Sequence, residues 1–540
     1  MLKIVSDYFL YKKIQKFNKE EFNREDNTNT RGILLLEFNS FHILHVIFSY
    51  LSNYFVKKHN LKIVAYYSHV LLTYKLERTL IQKIKSFIAD KFGIGFFGIY
   101  KSFGVKEFLF PKVNNRISSL TNSHYLKIYK KIKLNEDILD IAIDKIKIGD
   151  LIYDSYLTRN KKQKPTIDIK SEDFKIFLRD FLKLFFYWSE YFHNNKVKTL
   201  LVSHSIYTMG IPYRIALKKN INCFEVKENR IKRHKKNNPY HYSEVNEYPK
   251  IFKNFNKNEQ IYALKLAENN LKKRFQGMNI DLPYVTKAAF DKRKIKKKIF
   301  NKKKFTILIL PHDFVDAPHI GGKFAFADMY EWIKHLCELS IKKKEYNWLL
   351  KTHKKQGGKF SFYQNFTEKN IDKLIKNSNI KKLNSNLSHN QIISDGVDLV
   401  LTVFGTPAHE YAYKGINVLN SSSMNPHAGY RFNHHICSKT KYKNFFNNPS
   451  KKKIKIDKKK VLEFYYMHYI YNSKDWFFLD YNLMLKKLGS YHYQWSNKFY
   501  DFWLKSKRDK NFRNLLYKRL DNFIYSNNLT FNPSHFYKKK

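Results

Sequence analysis

Asp398–Asn420 reads DLVLTVFGTPAHEYAYKGINVLN. An apolar run ends at Phe404, Gly405-Thr406 makes a turn, Glu410 lies one helical turn further on, and Gly415 stops the helix before INVLN. Strand, helix and strand joined by short connections are the signature of a parallel α/β sheet. Glycine at 405 lets the backbone approach a ligand, and free N–H groups at a helix start favour a phosphate. A carboxylate one turn inside, Glu410, can accept hydrogen bonds from ribose hydroxyls. Ordinary strand–helix connections carry the same residues, so spacing alone leaves both readings open.

The pattern extends upstream. Phe305–Leu310 reads as a strand leading into PHDFVDAPH, and Met329–Lys342 as a helix. Asn347–Lys351, Ile380–Leu383 and Val397–Thr402 read as strands, and Gln391–Asp395 opens a helix. An earlier series has strands Gly32–Phe38, Leu61–Tyr66, Thr199–Ser203 and Asn220–Glu225. Helical stretches Ser40–Val56, Phe174–His193 and Ile206–Lys218 separate them. Between the two series Lys227–Lys304 holds KENRIKRHKKNN and DKRKIKKKIFNKKK, and reads as a connector around the amphipathic segment Glu259–Phe275.

The expected organisation is a charged leader over 1–30 and an N-terminal Rossmann-like domain over 31–226. The basic connector follows over 227–304, then a C-terminal Rossmann-like domain over 305–480 and a helical basic tail over 481–540. Two α/β halves of this kind face a cleft, and open parallel sheets bind ligands beyond the carboxyl ends of their strands.

At 540 residues the chain is too long for one core. With 43% hydrophobic and 17% aromatic residues it is not globally disordered. Three cysteines (Cys223, Cys337, Cys437) cannot build a disulfide framework, which fits a reducing compartment. No secretory signal opens the sequence, and the longest apolar stretches fall short of the roughly 18 residues of a spanning helix. We therefore expect a cytoplasmic protein at the inner membrane surface. Lys+Arg 101 against Asp+Glu 46 gives a net charge of +55, which attracts anionic lipid, nucleic acid or phosphorylated substrates. A/T-rich codon usage supplies the same lysines without any partner.

Strand ends carry the candidate chemistry. Lys351 and His353 follow one strand and can pair with a phosphate. His312, Asp313, Asp316 and His319 follow another, where a base, a sugar ligand or a metal site are all open. Ser203-His204-Ser205 ends a strand of the first half, and His204 can serve as base or hold an acceptor. Ser421 and Ser422 follow INVLN and can bond a phosphate. Asp154, in IGDLIYDSYL (Ile148–Leu157), can deprotonate an acceptor hydroxyl or simply hold Arg159. His427, His434, His435 and Cys437 form a second histidine group, for which zinc is the weaker reading.

Asp398–Asn420 resembles the donor-site strand–helix unit of GT-B glycosyltransferases, and more narrowly bacterial capsule and surface-polysaccharide biosynthesis proteins. IGDLIYDSYL, PHDFVDAPH with DMYEWI (Asp328–Ile333), and WLLKTH (Trp348–His353) support the same likeness in the same order. Relatives commonly have proline after that histidine, where this chain has Lys354. The resemblance implies transfer of a sugar from a nucleotide sugar to a growing surface polysaccharide or lipid-linked glycan. It implies a metal-independent reaction without a cofactor. His312, Lys351, His353, Gly405, Thr406, Glu410, Ser421 and Ser422 would hold the donor. Asp154, His204 or Asp313 would be the base. Lysine clusters at Lys294–Lys304, Lys451–Lys460 and Lys538–Lys540 would meet an anionic membrane. The alternatives are a non-catalytic assembly protein, a sugar-nucleotide epimerase and a nucleic-acid-binding protein. The last lacks any recognisable motif.

Overall fold

The computed structural model describes residues 2–22, 30–68, 78–159, 164–278, 280–282, 285, 287–291, 298–300, 304–354, 360–471, 477, 481–506 and 511–531. In chain order its strands begin with β1 (Ile33–Phe38), β2 (Lys62–Tyr67) and β3 (Val105–Leu109). A short hairpin, β4 (Ala142–Ile143) and β5 (Ile146–Lys147), precedes β6 (Val197–Val202), β7 (Asn222–Lys227) and β8 (Arg230–Lys232). The later half adds β9 (Thr306–Ile309), β10 (Asn347–Leu350), β11 (Ile380–Lys382), β12 (Leu399–Thr402), β13 (Asn417–Asn420) and β14 (His434–His435).

Two six-stranded sheets result, ordered β3-β2-β1-β6-β7-β8 and β11-β10-β9-β12-β13-β14. Both follow the doubly wound Rossmann order, with the strand order reversing between the first and fourth strands of each sheet. The first is parallel apart from β8, which runs antiparallel to β7. The second is parallel throughout. Sheets covered on both faces need apolar strands with little alternation. ILLLEF, TILI and LVLT supply them: Leu34–Leu36, Ile307–Ile309 and Val400–Leu401 are all fully buried. Each such side chain contributes about 1.5–3 kcal/mol.

The two halves meet through the helix Gly149–Thr158, all ten residues of which are buried. Its Asp154 and Tyr153 reach into the loop that follows β9. Tyr153 Oη donates to Asp328 Oδ2 at 2.6 Å, and Thr158 Oγ1 donates to the Val315 carbonyl. Gly149 is required here, because a Cβ would lie 2.0 Å from the Ile138 carbonyl oxygen.

The leader, the start of the connector and the helical tail all pack onto the first half. The charged leader contains a helix, Leu2–Glu21, whose Ile14 is buried against the first half. The connector does not start at 227 as a solvated linker: β8 completes the first sheet, and Lys232 is fully buried among Glu225, Glu244 and His241. The tail helices Tyr481–Leu488, Asn497–Lys505 and Phe512–Ile524 return to the first half. There Tyr500 meets His45, and Asp521 binds Tyr54 and Lys58. Among the described residues no helix is long and apolar enough to cross a membrane.

Candidate active site

In the second sheet β9 lies between β10 and β12, so the strand order reverses at the gap between β9 and β12. Chain leaving those two carboxyl ends must diverge, and the divergence opens a crevice. A cavity of about 450 Å³ occupies it. Its wall carries His312, Asp313 and Asp316 from the loop after β9, and Lys351 and His353 from the end of β10. Gly405, Thr406 and Glu410 come from the turn and helix after β12. Ile206 of the first half and Tyr242 close the mouth.

His312 and Thr402 bridge the reversal point. The His312 Nε2 lies 3.1 Å from Thr402 Oγ1 and accepts the Phe404 N–H at 3.4 Å, while Thr402 Oγ1 accepts the Gly405 N–H. An Nε2 that accepts a backbone N–H carries no proton. Burial, and after it His353, pulls His312 down to about 3, so the ring is neutral. Its face lies on Phe404, centroids 4.4 Å apart. The turn is close at 405, where a Cβ would press at 3.0 Å on His312, Pro407 and Thr402 atoms and force them to shift. The following helix, Pro407–Tyr413, has only seven residues and a proline at its start, so its dipole is small. Side chains must supply most of the positive potential.

Lys351 supplies it. The residue is 2% exposed, and its ammonium donates to the Thr352 carbonyl at 3.3 Å. The carboxylate whose charge reaches it, Glu410, is already bound by the Arg274 guanidinium. Burial, with Lys354 adding repulsion, pulls Lys351 down to about 7. An anion entering the cavity would restore its proton and its charge.

Across the wall Asp313 moves in the opposite direction. Burial, reinforced by the Asp316 carboxylate, pushes it up to about 7. Asp316 in turn accepts the Tyr207 hydroxyl of the first half at 2.9 Å. Tyr207 and Ala317 both take left-handed backbone angles, φ 53° and 45°, in one small apolar cluster. Such conformations persist only where the surroundings over-determine them.

Asp154, His319, His204, Ser421 and Ser422 lie off the cavity, whereas His427 lines it. Asp154 is buried at the contact between halves: one carboxylate oxygen accepts His319 Nδ1 at 2.6 Å and the other the His319 N–H at 3.1 Å. His319 Nε2 meets the Ala327 carbonyl at 2.9 Å. Both ring nitrogens thus face acceptors; burial, the largest single effect, lowers the His319 pKa, but the charge and hydrogen bond of Asp154 together with the Asp150 and Asp328 charges raise it on balance. Asp154, expected as a base, thus holds His319 with both oxygens and is not among the residues lining the cavity. Nor does Asp154 hold Arg159, which pairs with Asp173. His204, beyond β6, is half-buried with Nδ1 2.9 Å from Ser203 Oγ; burial and then Lys227 push it well below its ordinary pKa. Ser421 and Ser422 are buried beside β13 and do not line the cavity. The second histidine group disperses: His427 meets His409, His434 meets the Lys452 carbonyl and His435 meets Asn425. Among the described residues no three His, Cys, Asp or Glu converge as a metal site.

Arg274, Tyr207 and Thr402 went unnoticed in the sequence. Arg274 ends a helix assigned to the connector, Thr402 sits at the end of an apolar strand, and Tyr207 lies just past the Ser203-His204-Ser205 stretch.

No family model matches the sequence, and no curated protein does. Among solved structures, similarity extends to KpsC, a beta Kdo 2,4 transferase of Thermosulfurimonas dismutans. Identity is 10% over 50% of this chain and 79% of that one, with a TM-score of 0.30. A UDP-GlcNAc 2-epimerase of Neisseria meningitidis bound to UDP-GlcNAc is 10% identical over 80% and 95%, TM-score 0.24. A glycosyltransferase of Rickettsia africae is 10% identical over 89% and 100%, TM-score 0.20. Likenesses this distant leave the functional reading to the residues of the cavity.

Proposed function

We propose that the chain is a glycosyltransferase that binds a nucleotide sugar in the cavity of its second half and transfers the sugar to an acceptor hydroxyl. The observation that carries this reading is the presence, in one cavity beside the reversal point of the sheet, of a buried lysine lowered to about 7 and an aspartate raised to about 7. A cation in search of an anion and a carboxylate able to take a proton near neutral pH are the two groups such a transfer needs.

In this mechanism the diphosphate lies against Lys351, with the Gly405-Thr406 turn approaching it and His353 on the open side. Glu410, oriented by Arg274, accepts ribose hydroxyls. Asp313 takes the proton of the acceptor hydroxyl, and that oxygen forms a bond to the anomeric carbon. The bond from that carbon to the phosphate oxygen breaks, and its electron pair stays on the nucleotide. Lys351, recharged by the bound phosphate, stabilises the charge that accumulates there. Asp316 keeps the Asp313 pKa high enough for the task. The acceptor proposed is a surface polysaccharide or lipid-linked glycan, following the sequence resemblance.

A thermal-shift panel of CMP, UDP, GDP and their sugars tests the reading. A nucleotide at 100 times its Kd should stabilise by about 2.7 kcal/mol. Response to one nucleotide class, lost in Lys351→Met, supports the reading and names the donor class. No response at millimolar concentration rejects it. Conversion of the donor sugar without any acceptor indicates an epimerase instead.

A further inference from the structure

One helix of the first half turns its apolar side to solvent. Leu80–Lys91, LIQKIKSFIADK, lies between β2 and β3. A capping box fixes its start: Thr79 Oγ1 accepts the Gln82 N–H at 3.3 Å, and Gln82 Oε1 accepts the Thr79 N–H at 3.0 Å. The helix rests on its neighbour Gly95–Ser102, and Ser86, Ala89 and Asp90 are its most covered residues. Small and polar residues therefore face the protein.

The opposite stripe is apolar. Leu80, Ile81, Ile84, Phe87 and Ile88 stand at i, i+1, i+4, i+7 and i+8, between 43% and 72% exposed. Phe92 and Ile94 continue the surface past the helix end, so seven of the twenty-one exposed large hydrophobics among the described residues fall within 80–94. A water-facing helix normally turns this stripe inward, and a contiguous exposed patch marks an interaction site. At 100° per residue Lys83 and Lys85 flank the stripe on its two sides, and Lys91 stands at its end. The helix's one acidic residue, Asp90, is held by Lys101 at 2.7 Å. The border of the stripe is thus cationic.

We propose that this helix seats the protein on an anionic lipid bilayer. The stripe enters the boundary between headgroups and acyl chains, while Lys83 and Lys85 extend their stems along it to lipid phosphates. Charge selects this occupant: a second copy would bring the lysine borders of two chains of net charge +55 together, whereas anionic lipid gains from each lysine. The surface is separate from the cavity and the proposal holds whatever the cavity binds. It also differs from the lysine runs expected to meet a membrane. Lys538–Lys540 and most of Lys294–Lys304 lie outside the described residues, and Lys451–Lys460 is exposed without a comparable apolar stripe.

Flotation of the full chain with vesicles of phosphatidylcholine alone, or with about one third phosphatidylglycerol, tests it. Two double variants accompany the wild type, Ile84→Glu/Phe87→Glu and Lys83→Glu/Lys85→Glu. All four positions are exposed, so unchanged melting temperatures are expected to confirm folding. The wild type should float with the anionic vesicles only, and each variant should bind at least about tenfold more weakly. Three results would overturn the proposal. They are no flotation of the wild type, variants that float like the wild type, or light scattering showing a wild-type dimer that Ile84→Glu/Phe87→Glu splits into monomers.

Discussion

The Asp154 carboxylate and the His319 imidazole meet at 2.6 Å across the boundary between the two halves, both buried. Residues 165 positions apart thus pair across the two halves, and His319 ends the loop that begins with His312 and Asp313. Removing one member of a buried pair leaves the other charge without compensation.

Asp154→Asn should therefore cost about 3 kcal/mol in urea unfolding. His319 titrates in the folded state above its unfolded value of about 6.5. Its contribution is complete below that value and is lost as the pH climbs through the raised one. The stability gap between wild type and variant should accordingly narrow as the pH rises above about 6.5. A variant of unchanged stability that loses turnover would restore Asp154 to the chemistry.

Asp313→Asn should lower kcat by about 10²–10⁴ while nucleotide affinity is retained, since a general base acts only in the chemical step. Wild-type kcat should rise with pH through about 7. In Asp316→Asn the repelling charge is gone, so that limb should move to lower pH. A limb that stays in place would show that Asp313 is not the titrating group.

Gly405→Ala should destabilise by about 1–3 kcal/mol, as overpacking does. The new methyl would press on His312, Pro407 and Thr402. Nucleotide affinity should fall with it, because the turn that approaches the phosphate must shift. Differential scanning calorimetry with and without nucleotide reads both effects.

The central strands of both sheets were legible because burial on both faces demands unbroken apolar runs, and ILLLEF, TILI and LVLT have them. Of the edge strands only β11 was, through Ile380–Leu383. VKEFL in β3 and RIK in β8 carry charges, and in isolation they read as surface or linker. The N-terminal helix hid for the same reason, since its buried Ile14 sits among lysines.

In the cavity, His312, Asp313, Lys351, His353, Gly405, Thr406 and Glu410 could be named in advance because they directly follow strands, where the fold itself directs them to the crevice. The contact of Asp154 with His319 was not legible, because the Asp154 motif is helical and its partner distant in sequence. Arg274 and Tyr207 act only through folding of remote segments against the loop after β9 and the helix after β12, which no local pattern records.

Lys351 tests the account most directly. Isothermal titration of the stabilising nucleotide between about pH 7 and pH 9 should show affinity falling by up to about tenfold per pH unit, as binding must draw a proton back onto the lysine. Lys351→Met should remove both most of the affinity and this pH dependence, while the empty protein gains about 1 kcal/mol of stability at neutral pH from losing a buried amine. Equal affinity in wild type and Lys351→Met across that range would contradict the assignment of the cavity to a nucleotide phosphate.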